Sequence, residues 1–325
     1  MLTKSDVEYA YRLFLGREPE STQTVIDFCK IYADLPALRQ AFLNSSEFRA
    51  NSGNAEIAYP GDRLKPLTWP PLSVETSASP ADLAAMVGEI ENVWSAFGET
   101  DPHWSVLTEE VYRAEKIGVS KEYFYRTGQY NVKVLEATAS RCGVKLPASG
   151  RCLELGCGVG RVTSWLAKRF AEVTAVDISA PHLALATEHL SGEGRTNITW
   201  VRLGKLDGLA QLKGFDVFFS TIALQHNPPP IMAALLRDAL RALAPDGVAY
   251  FQIPTYKRNY VFKAKNYLME NAKDRTMEMH ALPQPDLFRV VADSDCRVLE
   301  IREDNASGSV DMITNSVFVR KVGRT

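Results

Sequence analysis

CLELGCGVGRVTSWLA, residues 152–167, is the stretch on which the reading of the fold turns. Its apolar run ends at Leu155, the length and character of a buried strand, and from Arg161 onward the apolar residues recur at helical spacing. Between them Gly156, Gly158 and Gly160 alternate with Cys157 and Val159. Glycines placed this way let the main chain turn sharply and approach a ligand that a Cβ would push away. Strand, glycine turn and helix together form the repeating unit of an open α/β sheet.

The chain around this unit keeps the same alternation. RCLEL (151–155), EVTAVD (172–177), NITWVRL (197–203), FDVFFS (215–220) and GVAYFQI (247–253) read as buried strands, with helices beginning near Gly160, Pro181 and Ile231. Strands separated by helices imply a parallel sheet covered on both faces. The last two strands, CRVLEIRED (296–304) and NSVFVRK (315–321), are joined by NASGSVDMIT, too short and too rich in turn formers for a crossover helix. They are expected to pair antiparallel.

Upstream the pattern changes. From Ser5 to Phe48 the apolar residues fit three short helices: Gly16 can close the first, Ser21 can cap the second and Pro36 falls in the first turn of the third. No cluster of titratable groups is evident there, so a docking or dimerisation module is the expectation for residues 1–50. Residues 51–79 carry Pro60, Pro66, Pro70 and Pro71 among Ser, Thr and Gly, which reads as an extended linker. Ser79 caps and Pro80 opens a helix whose apolar face is Leu83, Val87, Ile90, Trp94 and Phe97, and a second helix is expected from about Gln129 to Cys142. The division is therefore 1–50 helical domain, 51–79 linker, 80–146 helical lid and 147–325 core.

Composition narrows the classes of function. With 46% hydrophobic and 23% charged residues over 325 positions, the chain is long enough for two compact units. A net charge of -2 offers no general attraction to nucleic acid or an anionic membrane, so neither is an expected partner. Cys29, Cys142, Cys152, Cys157 and Cys296 show no CxxC pair and no spacing with His that suits zinc, so no metal site is expected. The amphipathic N-terminus and the lack of a long apolar run lead to the expectation of a cytoplasmic protein that does not insert into a membrane.

Dinucleotide enzymes space their glycines GxGxxG, which here would need glycine at Arg161 or, in the other frame, at Thr163. The run from Glu154 to Gly160, an acid, any residue, then GxGxG, instead resembles the first motif of class I S-adenosylmethionine-dependent methyltransferases. The resemblance implies a Rossmann-like α/β core, S-adenosylmethionine as cofactor, and Gly156, Cys157, Gly158 and Gly160 facing its methionine part, with Glu154 near the amino group and Arg161 near the carboxylate. It likewise implies that Asp177, ending the second strand, accepts the ribose hydroxyls and that Ile178 packs on adenine. FDVFFSTIALQHNPP (215–229) resembles the family's fourth motif, so Thr221, Gln225 and His226 would line the site. A histidine near neutrality can take a proton from an attacking hydroxyl, which makes His226 the first candidate for a general base, with His280 as another. WSAFGETDPHWSVL (94–107) and EYFYRTGQY (122–130) look like the helical lid of many bacterial members, in which Tyr125, Arg126 and Gly128 would close over the cofactor.

The sequence departs from the pattern past the third strand, where relatives place an acid toward adenine and this chain has Lys205; Asp207 could substitute. Gln252, before the end of the fifth strand, points to the same edge of the sheet. At the N-terminus LFLGREPE (13–20) and AFLNSSEFR (41–49) resemble a small helical domain of unassigned function found in bacterial proteins, some linked to surface glycans. The expected function is methyl transfer to a small-molecule or saccharide acceptor at a hydroxyl, a nucleophile that needs a base where a carboxylate or neutral amine would not. An inactive methyltransferase-like scaffold recruiting partners through residues 1–50 is the competing reading, and Lys205 is its support.

Overall fold

A computed structural model describes residues 2–45, 47–48, 69–269, 276–309 and 311–323. They fall into two compact units, Met1–Thr68 and Trp69–Thr325.

In the first unit, α1 (Lys4–Ala10) opens on Thr3, whose side chain accepts from the Asp6 N–H while the Asp6 carboxylate accepts from the Thr3 N–H. This reciprocal cap satisfies two of the donors that a helix start leaves free. The helix widens over Tyr11–Leu15 and stops at Gly16, whose φ of 69° is the left-handed closure glycine permits. Ser21 caps α2 (Thr22–Ile31) and Asp34 caps α3 (Leu35–Asn44), with Pro36 in its first turn. Val7, Tyr11, Val25, Leu38 and Phe42 form the core. The expectation of no titratable cluster is corrected here: Arg17 pairs with both Glu20 and Glu47 and lies over the Tyr11 ring.

The second unit carries β1 (Ser73–Val74), β2 (Arg151–Leu155), β3 (Glu172–Asp177), β4 (Ile198–Arg202), β5 (Phe215–Ser220), β6 (Leu243–Lys257), β7 (Val261–Phe262), β8 (Cys296–Asp304) and β9 (Met312–Lys321). Seven of them form one sheet in the order β4-β3-β2-β5-β6-β9-β8. β2 to β6 run parallel, whereas β9 inserts antiparallel between β6 and β8. The mostly parallel sheet with an antiparallel C-terminal hairpin is the fold expected from the sequence. Side chains alternate across the sheet, so that on β5 Phe218 packs to one face while Val217 and Phe219 pack to the other. Helices α6 (Thr163–Arg169), α7 (Ala180–Gly192), α8 (Asp207–Ala210), α9 (Pro229–Arg241), α10 (Ala264–Met269) and α11 (Gln284–Ala292) follow the strands.

Two long helices precede the sheet. Ser79 caps α4 (Pro80–Thr100) through the Asp82 N–H, as its sequence suggests. The second, α5, spans Ile117–Arg141 and so starts well before Gln129. Its early turns hold Gly118, Gly128 and several aromatics, which lower helix propensity, and tertiary packing of Phe124, Tyr125 and Gly128 overrides that preference. Of the stretch 51–79, residues 51–68 lie outside the described residues. The remainder is held to the second unit: β1 pairs with β7, and the Tyr256 hydroxyl donates to the Pro70 carbonyl. Among the described residues no helix is long and apolar enough to cross a membrane.

Candidate active site

The turn after β2 hangs from the end of β3, since the N–H groups of Gly156 and Cys157 both donate to the Val176 carbonyl. Gly158 has a φ of 52°, and a Cβ there would lie 2.8 Å from Val106 Cγ2; at Gly156, with φ of 77°, it would lie 2.2 Å from Ala223 Cβ. Both positions therefore need glycine for conformation and for space. The bend leaves a cavity at the carboxyl edge of the strands, where open α/β sheets bind ligands. It encloses about 1070 Å³ including its mouth.

Three charged side chains face this space. Asp177, at the end of β3, accepts from Gly158 N–H at 2.7 Å through Oδ2 and from Ser179 N–H at 2.9 Å through Oδ1. Each oxygen keeps further acceptor capacity. Glu154 is 3% exposed and accepts from the Thr163 hydroxyl at 2.6 Å. Burial pushes its carboxyl up to about 7, against the opposing pull of Thr163 and Arg161. Arg161 donates through Nη1 to Thr127 Oγ1 and Asn131 Oδ1, while its buried Nε makes no hydrogen bond. Burial lowers its guanidinium to about 10.

Of the residues singled out from sequence, Glu154, Gly156, Cys157, Gly158, Arg161, Asp177, Ile178, Thr221 and His226 line the cavity. Gly160 instead gives room to Ala186 and Leu190 of α7. Tyr125, Arg126 and Gly128, the lid residues expected to close over the cofactor, are not among the residues that line the cavity. Tyr125 donates to the Val159 carbonyl and stacks on His189, bracing the turn from behind; Arg126 is exposed over the Tyr123 ring; Gly128 lies under the Arg161 carbonyl. α5 meets the site through Thr127 and Asn131, which hold Arg161, while Tyr125 contacts Val159 and Trp165. Lys205 and Asp207 are both exposed, and the wall at that point is Leu203 and Leu206.

Gln225 and Gln252 are tied up in a buried chain. Ile222 N–H donates to Gln252 Oε1, Gln252 Nε2 to Gln225 Oε1, and Gln225 Nε2 to His226 Nε2, while His226 Nδ1 sits 2.8 Å from the Glu278 carbonyl. A main-chain donor at one end and a main-chain acceptor at the other fix the direction of every bond between them. His226 is therefore protonated on Nδ1, and its Nε2 lone pair is occupied. Burial lowers its pKa to about 4. The free base expected at His226 is corrected to a neutral ring with both nitrogens engaged. His280 makes its own contacts to the Tyr260 hydroxyl and the Glu278 carboxylate and does not line the cavity.

Several wall residues escaped the sequence reading. Val87, Ile90 and Trp94 come from α4, Ser105 and Val106 from the loop after it, and His182 from the first turn of α7. The face of α4 was visible as an apolar stripe, but the same stripe serves core and cavity wall alike. Among the described residues no group of three or more His, Cys, Asp or Glu could hold a metal ion.

Comparison with known proteins agrees with this geometry. Residues 152–247 match the family described as a methyltransferase domain. The ubiquinone biosynthesis O-methyltransferase of Idiomarina loihiensis is 33% identical over 111 residues, covering 34% of this chain and 43% of that protein. The trans-aconitate 2-methyltransferase of Variovorax paradoxus is 35% identical over 117 residues, covering 34% of this chain and 41% of that protein. The chain thus spans less than half the length of these curated relatives. Among solved structures, a magnesium protoporphyrin IX methyltransferase from Synechocystis with bound S-adenosylhomocysteine superposes with a TM-score of 0.50 at 16% identity, covering 73% of this chain and 99% of that one. The phosphoethanolamine N-methyltransferase 1 of Haemonchus contortus gives 0.51 at 13% identity, covering 75% and 50%. At such identities these two speak for the fold alone. Strand order, glycine turn and family match agree with one another: residues 152–247 of this chain match a methyltransferase domain and lie within a Rossmann-like α/β sheet.

Proposed function

We propose that the chain transfers a methyl group from S-adenosylmethionine to an oxygen of a small-molecule or saccharide acceptor. One observation carries the reading: a buried acid, a buried guanidinium with an unused N–H and a second acid converge on one cavity around a side-chain-poor turn. That set is complementary to the cofactor. Asp177 would accept the ribose hydroxyls, Glu154 the amino group, and Arg161 Nε would donate to the carboxylate, while Ile178, Leu203 and Leu206 offer apolar surface to the adenine. When bound, the cofactor supplies a methyl group already activated on a sulfonium.

The residues then have to align an acceptor oxygen and keep water out. Trp94 and Val106 close the cavity on the lid side and Thr221 to Ala223 on the sheet side. Positioning of this kind can supply about 7–11 kcal/mol of a barrier. A hydroxyl acceptor could pass its proton to His226 Nε2 only with the Gln225 amide withdrawn; an oxygen that arrives ionised needs no such step. The leaning toward oxygen rests on the names of the curated relatives, and the leaning toward a saccharide on the resemblance of the N-terminal helices. Those helices we read as a docking or dimerisation module.

Titration calorimetry with S-adenosylhomocysteine tests the reading. The unmodified protein is expected to bind, and Asp177→Ala to lose about 100-fold or more in affinity, the size expected for two charge-assisted hydrogen bonds. Absence of binding by the unmodified protein, or an unchanged affinity in Asp177→Ala, would overturn it.

A further inference from the structure

His182 has no role in the reading above, yet it stands in the cavity wall beside Trp94, between the lid and the acid of β3. Its surroundings are built to a close tolerance. A Cβ at Gly98 of α4 would fall 2.7 Å from His182 Nδ1 and 2.8 Å from Ser179 Oγ, so α4 seats on the first turn of α7 at a point where only glycine fits. From there the chain runs on into the loop that carries Ser105 and Val106.

The hydrogen bonds define the ring's state. The Ser105 hydroxyl donates to the Pro102 carbonyl at 3.0 Å, and a hydroxyl has one proton to give. With its proton directed at Pro102, Ser105 Oγ accepts from His182 Nε2 at 2.9 Å. Nδ1, 2.7 Å from Ser179 Oγ, is then the acceptor of the Ser179 hydroxyl. Burial favours the same neutral ring. Ser179 is also the residue whose N–H donates to Asp177, and Val106, next to Ser105, lies against Gly158. One imidazole thus joins the lid loop to the segment that presents the acid.

We infer that His182 is a positioning residue that latches the lid loop over the glycine turn, and that its hydrogen bond to Ser105 sets how slowly an S-adenosyl ligand leaves. The inference rests on the methyl-transfer reading above. A latch acts on release and leaves entry almost untouched, because the bond must break before the ligand can depart.

Release of S-adenosylhomocysteine is to be followed by stopped-flow tryptophan fluorescence, with Trp94 in the cavity wall as reporter. Ser105→Ala and His182→Phe are expected to speed release about five- to tenfold, the range of one buried hydrogen bond, with the association rate unchanged. Ser105→Ala added to His182→Phe should change nothing further, and His182→Gln, which keeps an N–H donor, should recover most of the slow release. Release from Ser105→Ala at the unmodified rate, or additive effects of the two substitutions, overturns the latch while leaving cofactor binding intact. An unmodified protein that binds no S-adenosylhomocysteine overturns both readings.

Discussion

Glu154 shows how one side chain can be read from its neighbours and only then assigned a charge. Its position before the glycines is plain in the sequence, but its protonation follows from burial, which raises it from 4.5 to about 7. Because the folded state holds the proton more tightly than the unfolded chain, this group's contribution to stability is present below 4.5 and lost as pH rises toward 7. The shift corresponds to roughly 3 kcal/mol at most. An ammonium beside it would pull the carboxyl back down, so binding of S-adenosylhomocysteine near pH 6.5 is expected to release a proton, and Glu154→Gln to abolish the release. Calorimetry in buffers of contrasting ionisation enthalpy measures this; equal heats in all buffers would count against the amino-group assignment. His226 makes the opposite case. Its residue type suggested a base, whereas its partners commit both nitrogens, and nitrogen-15 NMR should find the Nδ1–H tautomer with no titration between pH 5.5 and 8. A midpoint near 6.5 would restore the base.

The elements that hold these residues owe their form partly to local signals and partly to contact. Thr3, Ser21, Asp34 and Ser79 cap helices for reasons visible within four residues of each. The first half of α5 has no such signal. It is helical because Gly128 lets it lie against the Arg161 carbonyl, where a Cβ would come within 2.1 Å. Gly128→Ala is accordingly expected to cost about 1–3 kcal/mol of stability in urea unfolding, as overpacking does, and to weaken S-adenosylhomocysteine binding by displacing Arg161. A variant as stable as the parent would mean that α5 can slide away freely. The N-terminal motifs illustrate the same division. LFLGREPE and AFLNSSEFR are separate words in the sequence; in the structure Arg17 of the first pairs with Glu47 of the second.

For the molecule as a whole, the cavity and every group proposed to bind the cofactor belong to Trp69–Thr325. Protein comprising residues 69–325 is therefore expected to fold and to bind S-adenosylhomocysteine within about twofold of the full chain, since no binding group is lost; failure to bind when folded would give the N-terminal helices a part in the site. What the amino-acid sequence by itself determined is the parallel sheet, the closing hairpin, the glycine turn and the acid at the end of the second strand. These depend on periodicity, turn chemistry and chain order, all of which act over a few residues. Tertiary structure alone decided which apolar stripe becomes cavity wall, that Tyr125 braces the turn from outside, that His182 meets Ser105 across 77 positions of chain, and that Gln225 occupies the His226 lone pair. A hydrogen bond or a wall contact depends on distance in space, and an apolar side chain carries the same pattern whether it packs on protein or faces a ligand.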